Sequence, residues 1–173
     1  MTAVSPLKRP DGPAWSSTRH RSIIAQAFRY LGALAVLATG IAHIQQYSVD
    51  DYSTVPTIGT LFLLNFIAAI VIAVGLIAPL RRVTGRHTDL VRAVFAAGGI
   101  GLGVLSLAAL FVSESSGLFG FVEHGHRMAI VVAIVAEAAA AVFLAAFLLA
   151  NGKAHRDHDR SAVSQASNEL GLT

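Results

Sequence analysis

The chain of 173 residues has no cysteine, one tryptophan and two methionines, and only 13% of its residues are Asp, Glu, Lys or Arg. An ordinary soluble domain is about 25% charged, so half the usual charge is missing. Without cysteine there is no disulfide, thiolate metal site, iron–sulfur cluster or covalently attached haem. So little charge also excludes an ordinary water-facing surface. Two hydrolase signatures, Gly-x-Ser-x-Gly and His-Glu-x-x-His, are absent as well. What the chain does have is 54% hydrophobic residues and a mean hydropathy of +0.63. For much of this protein the solvent is lipid.

The few charges punctuate the sequence. They leave 20 uncharged residues between Arg29 and Asp50, 29 between Asp51 and Arg81, and 21 between Arg92 and Glu114. A further 25 residues between Arg127 and Lys153 are broken only by Glu137. About 20 apolar residues suffice to cross a bilayer as a helix, at about 1.5 Å per residue. The spacing therefore predicts transmembrane helices near 23–44, 57–80, 91–113 and 128–150. The runs lack the strict alternation of a membrane β-strand. Short connections favour an all-α, antiparallel four-helix transmembrane bundle. Residues 1–22 and 151–173 are expected to be flexible polar tails. A cleavable leader is the rival reading of the first span, with Gly40-Ile41-Ala42 ahead of His43 as the small-residue site.

Orientation follows from the cations. With the N-terminus inside, 12 of the 13 Lys and Arg residues fall on or near the inner side, and only Arg127 falls outside. The positive-inside rule then places both termini in the cytoplasm of a bacterial cell. The pI of about 9.8 is thus a topology signal that also suits an anionic inner leaflet. Nucleic acid is not an expected partner.

Charged side chains are costly in hydrocarbon, so those within spans usually face the bundle interior. Arg29, Asn65 and Glu137 are the intramembrane polar residues. Arg29 and His43 are 14 positions apart, close to four helical turns, and share a face with Gly32 and Gly40. His126, Ile130, Ala133 and Glu137 form one stripe on the fourth helix. The first and fourth helices can meet along these faces, where a Glu137–Arg29 link would need about 9 Å of vertical reach, through Arg extension or water. Glu137 is expected to be hydrogen-bonded within the bundle, with a proton or ion pathway as the alternative. Asn65 is expected to hydrogen-bond across helices. Gly99 and Gly103, with Ala133, Ala136 and Ala140, offer the small surfaces on which helices pack in lipid.

On the outer side, three of the seven histidines and four of the ten acids gather. His43, Glu123, His124 and His126 are candidate metal ligands, because imidazole and carboxylate together suit zinc, copper or iron. A b-type haem held between His43 and His126 is a further reading. The rival to both is a solvated loop that is acidic because the cations are retained inside.

Two runs then carry a resemblance. Gly40-Ile41-Ala42-His43 is followed by Tyr52, Pro56 and Ile58-Gly59-Thr60-Leu61-Phe62-Leu63-Leu64-Asn65, and Gly117-Leu118-Phe119-Gly120-Phe121-x-Glu123 precedes the fourth helix. Over roughly 25–150 this resembles small four-helix membrane proteins of high-GC bacteria. More loosely it is similar to the DoxX-like four-helix membrane group. The resemblance implies the architecture, and some members of that group associate with quinone-linked or redox machinery. The expectation is a non-enzymatic accessory or interaction subunit of the bacterial cytoplasmic membrane. Its partners would be the lipid bilayer and another membrane protein or a second copy. The alternative is a metal- or haem-binding redox or transport protein using the outer-face cluster.

Overall fold

The computed structural model describes residues 13–49, 52–54, 56–117 and 128–169. These form helix α1 (Pro13–Val49), a 3-10 turn (Tyr52–Thr54), α2 (Pro56–Ile77), a one-turn α3 (Arg81–Thr84), a second 3-10 turn (Gly85–His87), α4 (Thr88–Ser115) and α5 (Met128–Glu169). The described residues are all-helical and contain no strand. Four helices are long and apolar enough to cross a membrane: Ser22–Val49, Thr57–Ile77, Arg81–Ser115 and Ile130–Lys153. This is compatible with a multi-pass membrane protein.

The helix ends differ from the sequence expectation in two ways. Residues 13–22 and 151–169, expected as parts of flexible tails, continue α1 and α5 as helix. Extending an existing helix costs far less than nucleating one, and proline at the first position of α1 has no N–H to leave unpaired. Conversely, α2 stops at Ile77 rather than running to residue 80. Pro79 restricts the residue before it and cannot donate to the helix ladder. The chain then turns through Gly85, whose φ of 51° lies in the left-handed region that favours glycine.

Packing centres on α1 and α5, which lie against each other along much of their length. α2 leans on α1, α4 leans on α5, and α2 touches α4 more sparingly. The core is rich in small side chains: Ala25, Ala33, Ala69, Ala96 and Ala140 surround Val36, Leu76, Leu144 and Phe147. Gly99 and Gly103 let α4 approach α5 as their spacing predicts. A Cβ on Gly99 would stand 2.6 Å from Leu144 Cδ1, and one on Gly103 would stand 3.2 Å from the Glu137 carbonyl oxygen. At Gly99 a side chain would force Leu144 to move, and at Gly103 it would press on the α5 backbone by a few tenths of an ångström. Meanwhile the outward faces of α2 and α4 carry exposed Leu64, Val71, Val74, Leu105 and Phe111. A surface of that composition favours an apolar surrounding.

Candidate functional site

Each of the four long helices contributes one polar side chain to a single cluster. His43 on α1 and Glu137 on α5 are 5% and 2% exposed, and His43 Nε2 lies 3.0 Å from Glu137 Oε1. Ser106 Oγ on α4 is 3.1 Å from the same Nε2. Asn65 on α2 donates its Nδ2 hydrogen to Ser106 Oγ at 2.9 Å. The Phe62 ring lies beside the imidazole, with centroids 5.1 Å apart and planes inclined by 31°.

The chemistry of the cluster turns on Nε2, which has one hydrogen-bonding position and two oxygens beside it. When Nε2 carries the hydrogen, it donates to the Glu137 carboxylate. When Nε2 is bare, its one lone pair accepts from the Ser106 hydroxyl or from a protonated Glu137. A change of proton position at one residue therefore reorients the others. Leaving any one of these buried groups unpaired costs about 1–3 kcal/mol, more for a charge.

Three polar atoms around this cluster remain unpaired. His43 Nδ1, Gln46 Oε1 and Asn65 Oδ1 are buried and have no hydrogen-bond partner. Gln46 sits one turn beyond His43 on α1 and is 4% exposed. All three residues line one cavity of about 350 Å³, together with Ser106 and Glu137. Ser113 of α4 adds one more polar residue, and the other walls are apolar, from Ile58, Leu61 and Leu64 of α2, Leu102 and Leu105 of α4, and Ile130 of α5. Leu61, Leu64 and Leu105 are 41%, 55% and 72% exposed, so they mark the mouth between α2 and α4. Farther along the same seam, the Phe95 ring of α4 packs onto Gly75 of α2, where a Cβ would meet it at 2.5 Å. The two helices are thus closed at one end and parted at the other. The volume is at the small end of the range for small-molecule sites.

Of the residues singled out from sequence, the structure unites His43, Asn65 and Glu137. The meeting of the first and last spans is as their faces imply, and the group opposite Glu137 is His43. Aligning the two faces fixed the phase of the helices and not their vertical register, and register decides which residue is opposite. Arg29 is buried elsewhere on α1. Glu123, His124 and His126 lie outside the described residues. Among the described residues, no group of three His, Cys, Asp or Glu side chains is placed to hold a metal ion. A metal or haem ligated by His43 in this arrangement would bind through Nδ1, because Nε2 faces Glu137 and Ser106. Sequence reasoning missed Gln46, Ser106 and Phe62. The signal was present for Gln46, which is three residues from His43 and so on its face.

Protein-family models, curated proteins and solved structures were each compared with the chain, and none matches it.

Proposed function

We propose that this is an integral protein of the bacterial cytoplasmic membrane that binds a small, membrane-partitioned molecule by its polar head. In this reading the four long helices form an antiparallel bundle with both termini in the cytoplasm. Pairings in opposite residue order support it: Gly32 with Leu144 and His43 with Glu137, Asn65 with Ser106 and Gly75 with Phe95. The orientation rests on the 12 cations that this topology places inside. The four-helix architecture also agrees with the resemblance to the DoxX-like membrane group.

The single observation that carries the binding function is the cavity with its three unpaired buried polar atoms. Buried polar groups are nearly always paired in native proteins. Here the three residues that carry them line a space whose mouth is apolar and, in a bilayer, would face lipid tails. A molecule with an apolar body would enter laterally between α2 and α4, and its hydrogen-bonding head would satisfy the floor. The role proposed for such a site is that of an accessory subunit, binding a ligand for a neighbouring membrane protein.

Solvent extraction of the detergent-purified protein, followed by mass spectrometry, tests this. Ala109 lines the cavity, and Ala109→Phe would fill it while leaving the polar cluster intact. A small molecule retained by wild type and lost from Ala109→Phe and His43→Ala is the expected result. Identical extracts from wild type and a folded Ala109→Phe would reject the pocket as a binding site.

A further inference from the structure

A second polar region lies toward the other end of α1, and its chemistry is opposite in sign. Arg29 is 5% exposed, and its Nε is buried without a hydrogen-bond partner. Its guanidinium carbon sits 4.6 Å from the centroid of the Tyr30 ring. Arg92, one turn into α4, also has a buried, unpartnered Nε. The charged or ionisable groups near enough to act on Arg92 are Arg29, Arg81, Asp89 and Tyr30. Two of those four, Arg29 and Arg81, are cations, and the one carboxylate among them, Asp89, is exposed to solvent. Among the described residues, no carboxylate makes an ion pair with Arg29 or Arg92.

Like charges held together away from water are unfavourable, and a buried charge normally has a counter-ion. Arginine most often finds it in a carboxylate or a phosphate, whose oxygens match the guanidinium fork. Among the described residues, no carboxylate is paired with either guanidinium. Depth points the same way, since Arg29 is seven residues from the start of the span at Ser22, or about 10 Å along the helix. An arginine there is within reach of the phosphate layer of a bilayer.

We infer that Arg29 and Arg92 form a binding site for a phosphate-bearing anion, held between α1 and α4 at the end of the bundle opposite the His43 cavity. The anion is either the headgroup of a phospholipid or phosphate from solution, and both would be bound by the same guanidinium hydrogen bonds. Bound there, it joins two helices that otherwise touch only lightly.

The test uses the full chain purified in a maltoside detergent, which carries no phosphate, in phosphate-free buffer. Thermal unfolding is followed on adding phosphatidylglycerol, inorganic phosphate, or sodium chloride at matched ionic strength, with native mass spectrometry recording any lipid already retained. Phosphatidylglycerol should raise the unfolding midpoint by at least about 4 °C at saturating concentration, or a retained phospholipid should be seen. Either signal should disappear in Arg29→Gln and in Arg92→Gln. It should persist in Arg82→Gln/Arg86→Gln, two cations on the exposed surface. A rise with inorganic phosphate as large as that with lipid assigns the anion to solution, and a rise with lipid alone assigns the headgroup. The inference is overturned if wild type shows neither a rise nor a retained lipid, or if sodium chloride reproduces the rise. It is equally overturned if the exposed pair abolishes the signal or the buried pair leaves it intact. Should Arg29→Gln fail to fold, the half-buried Arg92 position carries the comparison alone.

Discussion

His43 and Arg29 lie on the same helix, about four turns apart, and both are 5% exposed. His43 is met by Glu137 and Ser106, and through Ser106 by Asn65. Arg29 is met by the face of Tyr30 and by the charge of Arg92. Equal burial therefore does not mean equal satisfaction. At one end the fold supplies the counter-group from its own chain, and the pair stabilises the bundle. At the other end no described residue pairs with the guanidinium, and the proposed site is stabilised when an anion from outside the chain provides the counter-group. Stability measurements should show this difference as a difference of sign.

The largest effect is expected at the satisfied end. Glu137→Ala removes the partner of a buried histidine, and breaking a buried pair by removing one member costs about 3–5 kcal/mol. Thermal unfolding in detergent reads this as a lowered midpoint, and His43→Ala in the same background should then add little, because the coupling is already lost. An additive loss in the double variant would show that the two residues act separately. A smaller effect of opposite sign is expected at the unsatisfied end. Arg29→Leu, measured without phospholipid, removes a repelling buried charge and should stabilise the protein by about 1 kcal/mol, the low end for replacing buried charges with packed apolar groups. A lower midpoint for Arg29→Leu under those conditions would erase the contrast between the two ends. The smallest expected change is Ser106→Ala. Interhelical hydrogen bonds in membrane proteins average about 0.6 kcal/mol, so unfolding should shift only slightly. A ligand seated on the cluster should nevertheless dissociate faster, and competition between wild type and variant for the extracted molecule would measure it.

Much of the architecture was legible because hydrocarbon imposes a length. Runs of 20 or more uncharged residues leave little choice but helices, and Glu137 stood out as the only acid inside one. The shared face of Arg29 and His43 with the Ile130–Ala133–Glu137 stripe also anticipated that α1 and α5 would meet. Vertical register was not legible in the same way: a slide of four turns along that face exchanges Arg29 for His43. Neutral polar residues were harder to read. Ser106 and Gln46 cost little in an apolar span, so they leave almost no mark on composition, and their importance comes from which helices stand next to which. The ends of α1 and α5 were missed for another reason. Hydropathy reports where lipid stops, whereas helix continues wherever the next residue can add a hydrogen bond.

That continuation has a mechanical consequence. α5 holds Glu137 in the polar cluster and runs on without interruption to Glu169, 32 residues later, a distance of about 48 Å. A helix of that length is a lever with its short arm beside the cavity that Ile130, Ala133 and Glu137 line. A tilt of roughly 5° about Glu137 would carry the far end about 4 Å sideways for that arm. A rearrangement too small to notice at the His43–Glu137 contact becomes, at the distal tip, as large as the diameter of a side chain.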